Sequence, residues 1–398
     1  MNACSGLKHR GVTSRLLAIG VVVPALLGYL FAVALKAAPT PTTSIDGGFY
    51  QQKNLVSDQP GVALITDSNL VNAWGIALPP TGGAFWVANN GSGTSTLYAG
   101  DVHGSLFTKS SLVVTIQSGL PTGMVFNSSS DFVVHSGAAS GPALFLWASQ
   151  VGVISGWNPG VPPPPPSHTA QIGPTADAVY TGLAIAQANG ANYLYAADFE
   201  HGRIDVYDKN LQAAHLDGSF SDPNTPNSYS PFNVQAIAGR IYVTYAQQSH
   251  AEPDEETDRG SGFVDVFDTS GHLLQRLIKG NHLNAPWGLA LAPNNFGPFS
   301  NALIVGNFGN GHLQAFDPDN GRFLGELDDA SGRPIVIDGL WGLSFGNGVT
   351  AGDTNALYFA AGPEGETHGL FGSLRFAADT NARKTPAADS SHERVHTN

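Results

Sequence analysis

Cysteine and charge are what this sequence has least of. A single cysteine, Cys4, stands in 398 residues, and only 12% of the residues are charged. Cys4 precedes a long apolar run, so a form exported without that run has no disulfide, thiolate metal site or cysteine nucleophile. Basic residues number 18 against 31 acidic ones, for a net charge of −13. That balance excludes a nucleic-acid phosphate backbone as a natural partner. Long stretches of amphipathic helical periodicity are missing as well. No Gly-x-Ser-x-Gly elbow, Walker loop or dinucleotide fingerprint stands in a strand-to-helix context, which argues against ordinary serine hydrolases and nucleotide enzymes. His201, His250, His282, His312 and His368 fall in loops, and no pair has metal-motif spacing.

What is abundant is glycine, 48 residues, and proline, 26, beside 42% hydrophobic residues. Many short strands joined by tight turns fit that mixture; disorder, which needs low hydrophobicity, does not. At the N-terminus Lys8, Arg10 and Arg15 precede the uncharged run Leu16–Leu35, with Ala32-Val33-Ala34 as a small-residue cleavage site. Residues 1–34 are expected to be a signal peptide. The run is also long enough to span a bilayer, so an uncleaved anchor stays open. Either way the chain is expected to be exported, to the periplasm, the cell envelope or the medium, and to meet a membrane only through this segment. Residues 35–53 form a Pro/Thr-rich spacer.

The repeat unit is clearest at 72–98, NAWGIALPPTGGAFWVANNGSGTSTLY, which reads as three short strands separated by Pro/Gly and Asn/Gly turns. Its opening returns at Thr122-Gly123, Thr181-Gly182, Phe232-Asn233, Trp287-Gly288 and Trp341-Gly342. A recurrence of roughly 50 residues with about four strands per unit marks a β-propeller blade, which cannot bury both faces alone. The expected fold is all-β, a six-bladed β-propeller over 54–376. Second strands are assigned to AFWVAN, DFVVHS, YLYAAD, RIYVTY, ALIVGN and ALYFAA. The sixth unit is one strand short, and an N-terminal strand around Phe49–Val56 is expected to close it and remove a free sheet edge. Residues 377–398 carry no periodicity and read as a disordered tail. Pro162–Pro166, placed between units two and three, reads as a stiff polyproline loop.

Candidate sites follow from the repeat. The residues ending the second strands, Asn89, His135, Asp198, Tyr245 and Asn307, with Ala361 in the sixth unit, are expected to face the propeller mouth. Converging there, they would hold a calcium or magnesium ion or a small polar ligand. The other reading is turn chemistry around a water-filled pore, since Asn and Asp bond their own backbone. Between the second and third strands of unit four, Asp254, Glu255, Glu256 and Asp258 crowd into one loop, either solvated or binding calcium. Trp74, Trp287 and Trp341 read as filler between blades, with stacking on sugar rings as the alternative. Asn72, Asn284 and Asp338 read as caps of the turn into each blade, with a place lining the mouth as the alternative. Asp317-Pro318-Asp319-Asn320-Gly321 has counterparts in units three and four, and reads as a β-turn rather than a calcium loop.

Several stretches resemble an uncharacterised family of exported bacterial proteins found in genomes that use a Pro-Glu-Pro sorting signal. They are NLVSDQPG (54–61), residues 70–98, YLYAADFEHGRIDVYD (193–208), GFVDVFDTSGHLLQRLI (262–278), LNAPWGLALAP (283–293), LIVGNFGNG (303–311) and LYFAAGPEGETHGLFGSL (357–374). More distantly the blades resemble NHL-repeat and gluconolactonase-type propellers. The resemblance implies a secreted six-bladed propeller and brings no established activity with it. The expected role is a monomeric binding scaffold for a protein, glycan or small molecule. The rival is a metal-dependent lactonase or esterase with Asp198, Asn89, Asn307 and His135 as ligands. A structural or adhesive envelope protein is the third reading.

Overall fold

Six inner strands set the architecture: Ala73–Ala77, Pro121–Phe126, Tyr180–Ala188, Tyr229–Ile237, Pro286–Leu291 and Leu340–Phe345. Each lies against the next, and the sixth lies against the first, closing a ring. This is the six-bladed β-propeller that the repeat implies. The computed structural model describes residues 48–161, 167–168, 170–172, 177–248 and 262–378, all within one compact unit, Ile45–Asn398. The N-terminal segment 1–34, the polyproline run 162–166, the acidic residues Asp254, Glu255, Glu256 and Asp258, and most of the tail lie outside the described residues. Among the described residues the one helical element is a 3-10 turn, Gly297–Phe299.

Strands form because the units alternate apolar residues between short turn segments, and both faces of each blade are covered by neighbours. Second strands such as Phe85–Asn89 and Leu303–Asn307 are buried at every position. Such strands show continuous apolar runs in place of alternation. Core side chains collect between blades, as where Phe85, Tyr358 and Phe371 meet between the first and sixth.

Ring closure uses the N-terminus. Gly48–Ser57 pairs antiparallel with Leu370–Ala378 as the fourth strand of blade six, and the short strand Ile65–Thr66 pairs parallel on its far side. The strand thus starts inside the segment read as spacer. Its Tyr50 hydroxyl donates to the Phe296 carbonyl at 2.8 Å, and its N–H to the Asp328 carbonyl at 2.8 Å, tying blade six to blade five. A second clasp joins blades six and one. Arg375 reaches Asp101 at 2.7 Å and Asp353 at 2.6 Å, and the Tyr358 hydroxyl donates to Asp101 at 2.7 Å.

Two assignments differ from expectation. The second strand of blade two is Phe145–Ser149, whereas Val133–Ser136 pairs with Ala139–Pro142 in a separate hairpin. Burial decides between the two runs. Phe145 stacks on Trp86 at 4.1 Å and Trp147 is fully buried, while Val133, His135 and Ser136 face solvent. The boundary expected between units two and three also moves, because Ala170–Ile172 pairs with Ile154–Trp157 as the outer strand of blade two, and Ser167–His168 just before it pairs with blade one.

Candidate functional site

The Trp-Gly and Thr-Gly openings are explained at the ring axis. A Cβ on Gly75 would lie 2.5 Å from the Thr122 carbonyl oxygen, and one on Gly342 would lie 2.5 Å from that of Trp74. Glycine is present because the next inner strand passes where a side chain would stand. Blade four carries Asn233 there, and its Nδ2 donates across to the Trp287 carbonyl at 2.7 Å.

The tryptophans before those glycines fill the channel itself. Trp74 and Trp341 stack at 3.8 Å, and Phe308 stacks on Trp341 at 3.9 Å. Contacts also join blades that are not neighbours: Trp74 to Trp287 at 6.3 Å, and Phe232 to Trp341 at 5.6 Å. Trp287 Nε1 donates to the Thr181 carbonyl of blade three at 3.1 Å. Such contacts require the rings to meet on the axis, so they plug it rather than filling the space between blades. With exposures of 2% and 0%, Trp74 and Trp341 offer no face to a stacking sugar, while Trp287, at 5%, meets solvent only through the cavity at the other end of the channel.

A polar layer roofs the plug. Trp341 Nε1 donates to Asn72 Oδ1 at 3.1 Å, and Asn72 Nδ2 donates to Glu366 and, at 3.4 Å, to Asn90 Oδ1. Asn90 Nδ2 in turn donates to Gln150 Oε1 at 2.9 Å. The Asn72 amide thus links blades six and one, and Asn90 carries the chain on to blade two, which goes beyond capping a turn. The repeat could not reveal this, because Asn90, Gln150 and Glu366 occupy three differently built loops.

The mouth residues separate under this geometry. Asn89, Asp198, Tyr245 and Asn307 occupy equivalent positions, opposite Ala73, Tyr180, Pro231 and Pro286; the first, second and fourth end their strands, while that of Tyr245 runs on to Gln247. His135 does not; Ser149, opposite Pro121, occupies that place, and His135 lies exposed on the separate hairpin. Asp198 accepts the Val179 N–H at 3.2 Å and holds His201 Nδ1 at 2.7 Å. Asn307 accepts the Asn284 N–H at 3.0 Å and donates to the His282 carbonyl at 3.0 Å. Asn89 donates to Thr94 and Thr96 hydroxyls at 3.1 and 3.0 Å. Tyr245 stacks on Phe263 at 4.3 Å in the core between blades three and four, and burial pushes its hydroxyl well up. Asp198 and Asn307 thus bond backbone and side chains beside their own strands and Tyr245 packs at a blade interface, while the buried Oδ1 of Asn89 has no hydrogen-bond partner among the described residues. Among the described residues no group of three His, Cys, Asp or Glu side chains is arranged to hold a metal ion.

The other end of the channel, where the inner strands finish, is open. A cavity of about 440 Å³ is floored by Trp287 and walled by Ile76, Met124, Leu183, Val234 and Leu343 from the five other blades. Gln235 and Ser128 are among its few polar side chains. Sequence reasoning missed it because the channel-lining positions look the same as positions buried between blades.

Fold and axis together define a six-bladed β-propeller with a plugged channel. No protein-family model matches the chain. It is 35% identical over 328 residues to uncharacterized protein R648 of Acanthamoeba polyphaga mimivirus, covering 80% of this chain and 78% of that one. Uncharacterized protein L690 of the same virus is 33% identical, with 80% and 84% covered. The chain belongs to the family of these mimivirus proteins. These relatives are viral, where the resemblance implied bacterial ones. Among solved structures, a gluconolactonase from Xanthomonas campestris is similar at 17% identity and a TM-score of 0.36, covering 58% of this chain and 82% of its own.

Proposed function

We propose that this propeller is a binding protein, and that its site is the apolar cavity at the open end of the channel. One observation carries the reading. The axis is shut by tryptophan at the end where the strands begin, and what remains open is a concave space whose side chains, from five blades and the Trp287 floor, are mainly apolar. Cavities of that size and lining bind small apolar ligands, with one or two amides to orient them. The basic-then-apolar N-terminus supports export, which makes the ligand an extracytoplasmic one. For the lactonase reading, Asp198 is a poor ligand because both its oxygens already serve Val179, His201 and Arg203.

The neutral fluorophore N-phenyl-1-naphthylamine tests this with the full chain. Its emission is expected to rise and saturate on titration. Ala236→Trp, at the exposed rim of the cavity, is expected to abolish that rise and leave the unfolding midpoint in place. Leu120→Ser, where an exposed leucine precedes an inner strand at the plugged end, is expected to change nothing. Equal binding by wild type and Ala236→Trp would rule the cavity out.

A further inference from the structure

The third blade has three strands where the others have four or more. Its third strand is Arg203–Tyr207, and the chain that follows begins a fourth strand and abandons it. Ala213 bridges Tyr207, and the Ala214 N–H donates to the Val206 carbonyl at 2.8 Å. The segment then leaves. Gly218 and Phe220 donate their N–H groups to Ser270 and Gly271 of blade four, at 2.9 Å each. Phe220 is buried against Tyr195 and Phe267, which holds the segment away. A groove of about 990 Å³ remains between Arg203–Tyr207 and residues 213–221. Because Val206 turns its carbonyl outward, the alternation of an antiparallel strand also turns the Ile204 N–H and C=O toward the groove. Neither finds a partner among the described residues, although Ile204 is only 8% exposed. An unpaired, sheltered backbone pair is a docking edge.

We propose that an extended peptide carrying a basic residue docks in this groove as the fourth strand of blade three. The charge follows from comparing blades. Asp205 lies opposite Ala196 as Asp265 lies opposite Val243, so the two occupy one position of the repeat. In blade four the fourth strand brings Arg276 opposite Asp265, with Nε 3.0 Å from Oδ1. In blade three no strand brings a base. Arg203 instead folds along its own strand onto Asp205 at 2.7 Å, with half its side chain in solvent. Across the groove, exposed Asp217 has no ion-pair partner among the described residues. Asp205 also accepts the Tyr180 hydroxyl at 2.7 Å, so an incoming cation takes the place of the half-exposed Arg203 on Asp205 and meets the exposed carboxylate of Asp217 across the groove, on a chain whose net charge is −13. Backbone pairing supplies affinity and the alternate side chains supply selectivity in this mode of recognition.

The probe is fluorescein-labelled acetyl-LLQRLIK-amide, the sequence of Leu273–Lys279, which fills the equivalent place in blade four. Titrated with the full chain, its anisotropy is expected to saturate, and amide exchange across residues 203–207 to slow when it binds. The same peptide with glutamate at the arginine is expected to bind at least tenfold more weakly. Asp205→Asn and Asp217→Lys are each expected to weaken the arginine peptide about tenfold. Asp217 stands outside the core, so its variant keeps the test readable if Asp205→Asn disturbs the blade. N-phenyl-1-naphthylamine is not expected to compete, which separates this groove from the channel. Equal binding of both peptides, or no binding, would overturn the proposal. So would an Ile204 amide already protected in the free protein, since the departing segment would then be closing the edge itself.

Discussion

Single polar residues in this propeller do their work inside the blades. Asp265 shows how costly such a place is. Its strand, Phe263–Phe267, is buried throughout, and Asp265 shares a face with two phenylalanines. Burial pushes its carboxyl up to about 6, against the pull of Arg276, which also bridges Asp222 and lies 3.8 Å above the Phe263 ring. In the unfolded chain the group ionises near its ordinary value, about 4. Between those two values the folded state keeps a proton that the unfolded state has lost, so stability falls as pH rises through the window. Asp265→Asn cannot ionise and should lose that dependence. Urea titrations are expected to show the variant gaining on wild type by about 1–3 kcal/mol between pH 4 and pH 7; a constant difference would mean the carboxyl is not perturbed. The alternation Phe-Val-Asp-Val-Phe placed this aspartate on an apolar face in the sequence itself. The arginine that partners it comes from the next strand and was not legible there.

At the scale of elements, the inner strands pack so tightly that their glycines are structural necessities. Gly342→Val would drive two methyl groups toward the Trp74 carbonyl, which already stands 2.5 Å from a bare Cβ. Overpacking of this kind costs roughly 1–3 kcal/mol, and more where backbone is the obstacle. Chemical denaturation should place Gly342→Val at the upper end of that range, about 3 kcal/mol below wild type. A loss under about 0.5 kcal/mol, the level of an ordinary surface change, would show that the strands can part. The Trp-Gly pairs were legible as blade openings. The position of the indoles on the axis was not, because a strand edge facing a channel and a face packed on a neighbour carry the same residues. Blade two was misread for a related reason: two apolar runs competed for one place, and the one bearing Phe145 and Trp147 buries more surface against Trp86.

At the scale of the whole molecule, closure decides whether six sheets behave as one. Gly48–Ser57 covers the edge of Leu370–Ala378, and Tyr50 anchors it among Phe296, Phe299 and Phe376. A chain beginning at Asp58 would leave that strand with a row of unpaired backbone groups. It is expected to unfold at lower urea concentration, with a broader transition, and to self-associate in light scattering at concentrations where the full chain does not. An unchanged midpoint would mean that the Arg375 clasp with Asp101 and Asp353 suffices.

By itself the sequence determined the class of fold, the number of blades and their order, because a repeat of short apolar strands with glycine at each opening has few ways to bury itself. It also determined that an N-terminal strand would close the sixth blade, since that unit lacked a partner for its edge. The tertiary structure alone decided what lies on the axis. The ring brings Trp74, Trp287, Trp341 and Phe232 together from residues up to 267 positions apart in the chain, as the Trp74–Trp341 stack shows. It likewise decided which groups Asp198 and Asn307 bond, that a cavity opens at the far end, and that blade three stops one strand short. Those outcomes depend on which side chain reaches a shared space first, and that competition is settled only when all six blades are in place.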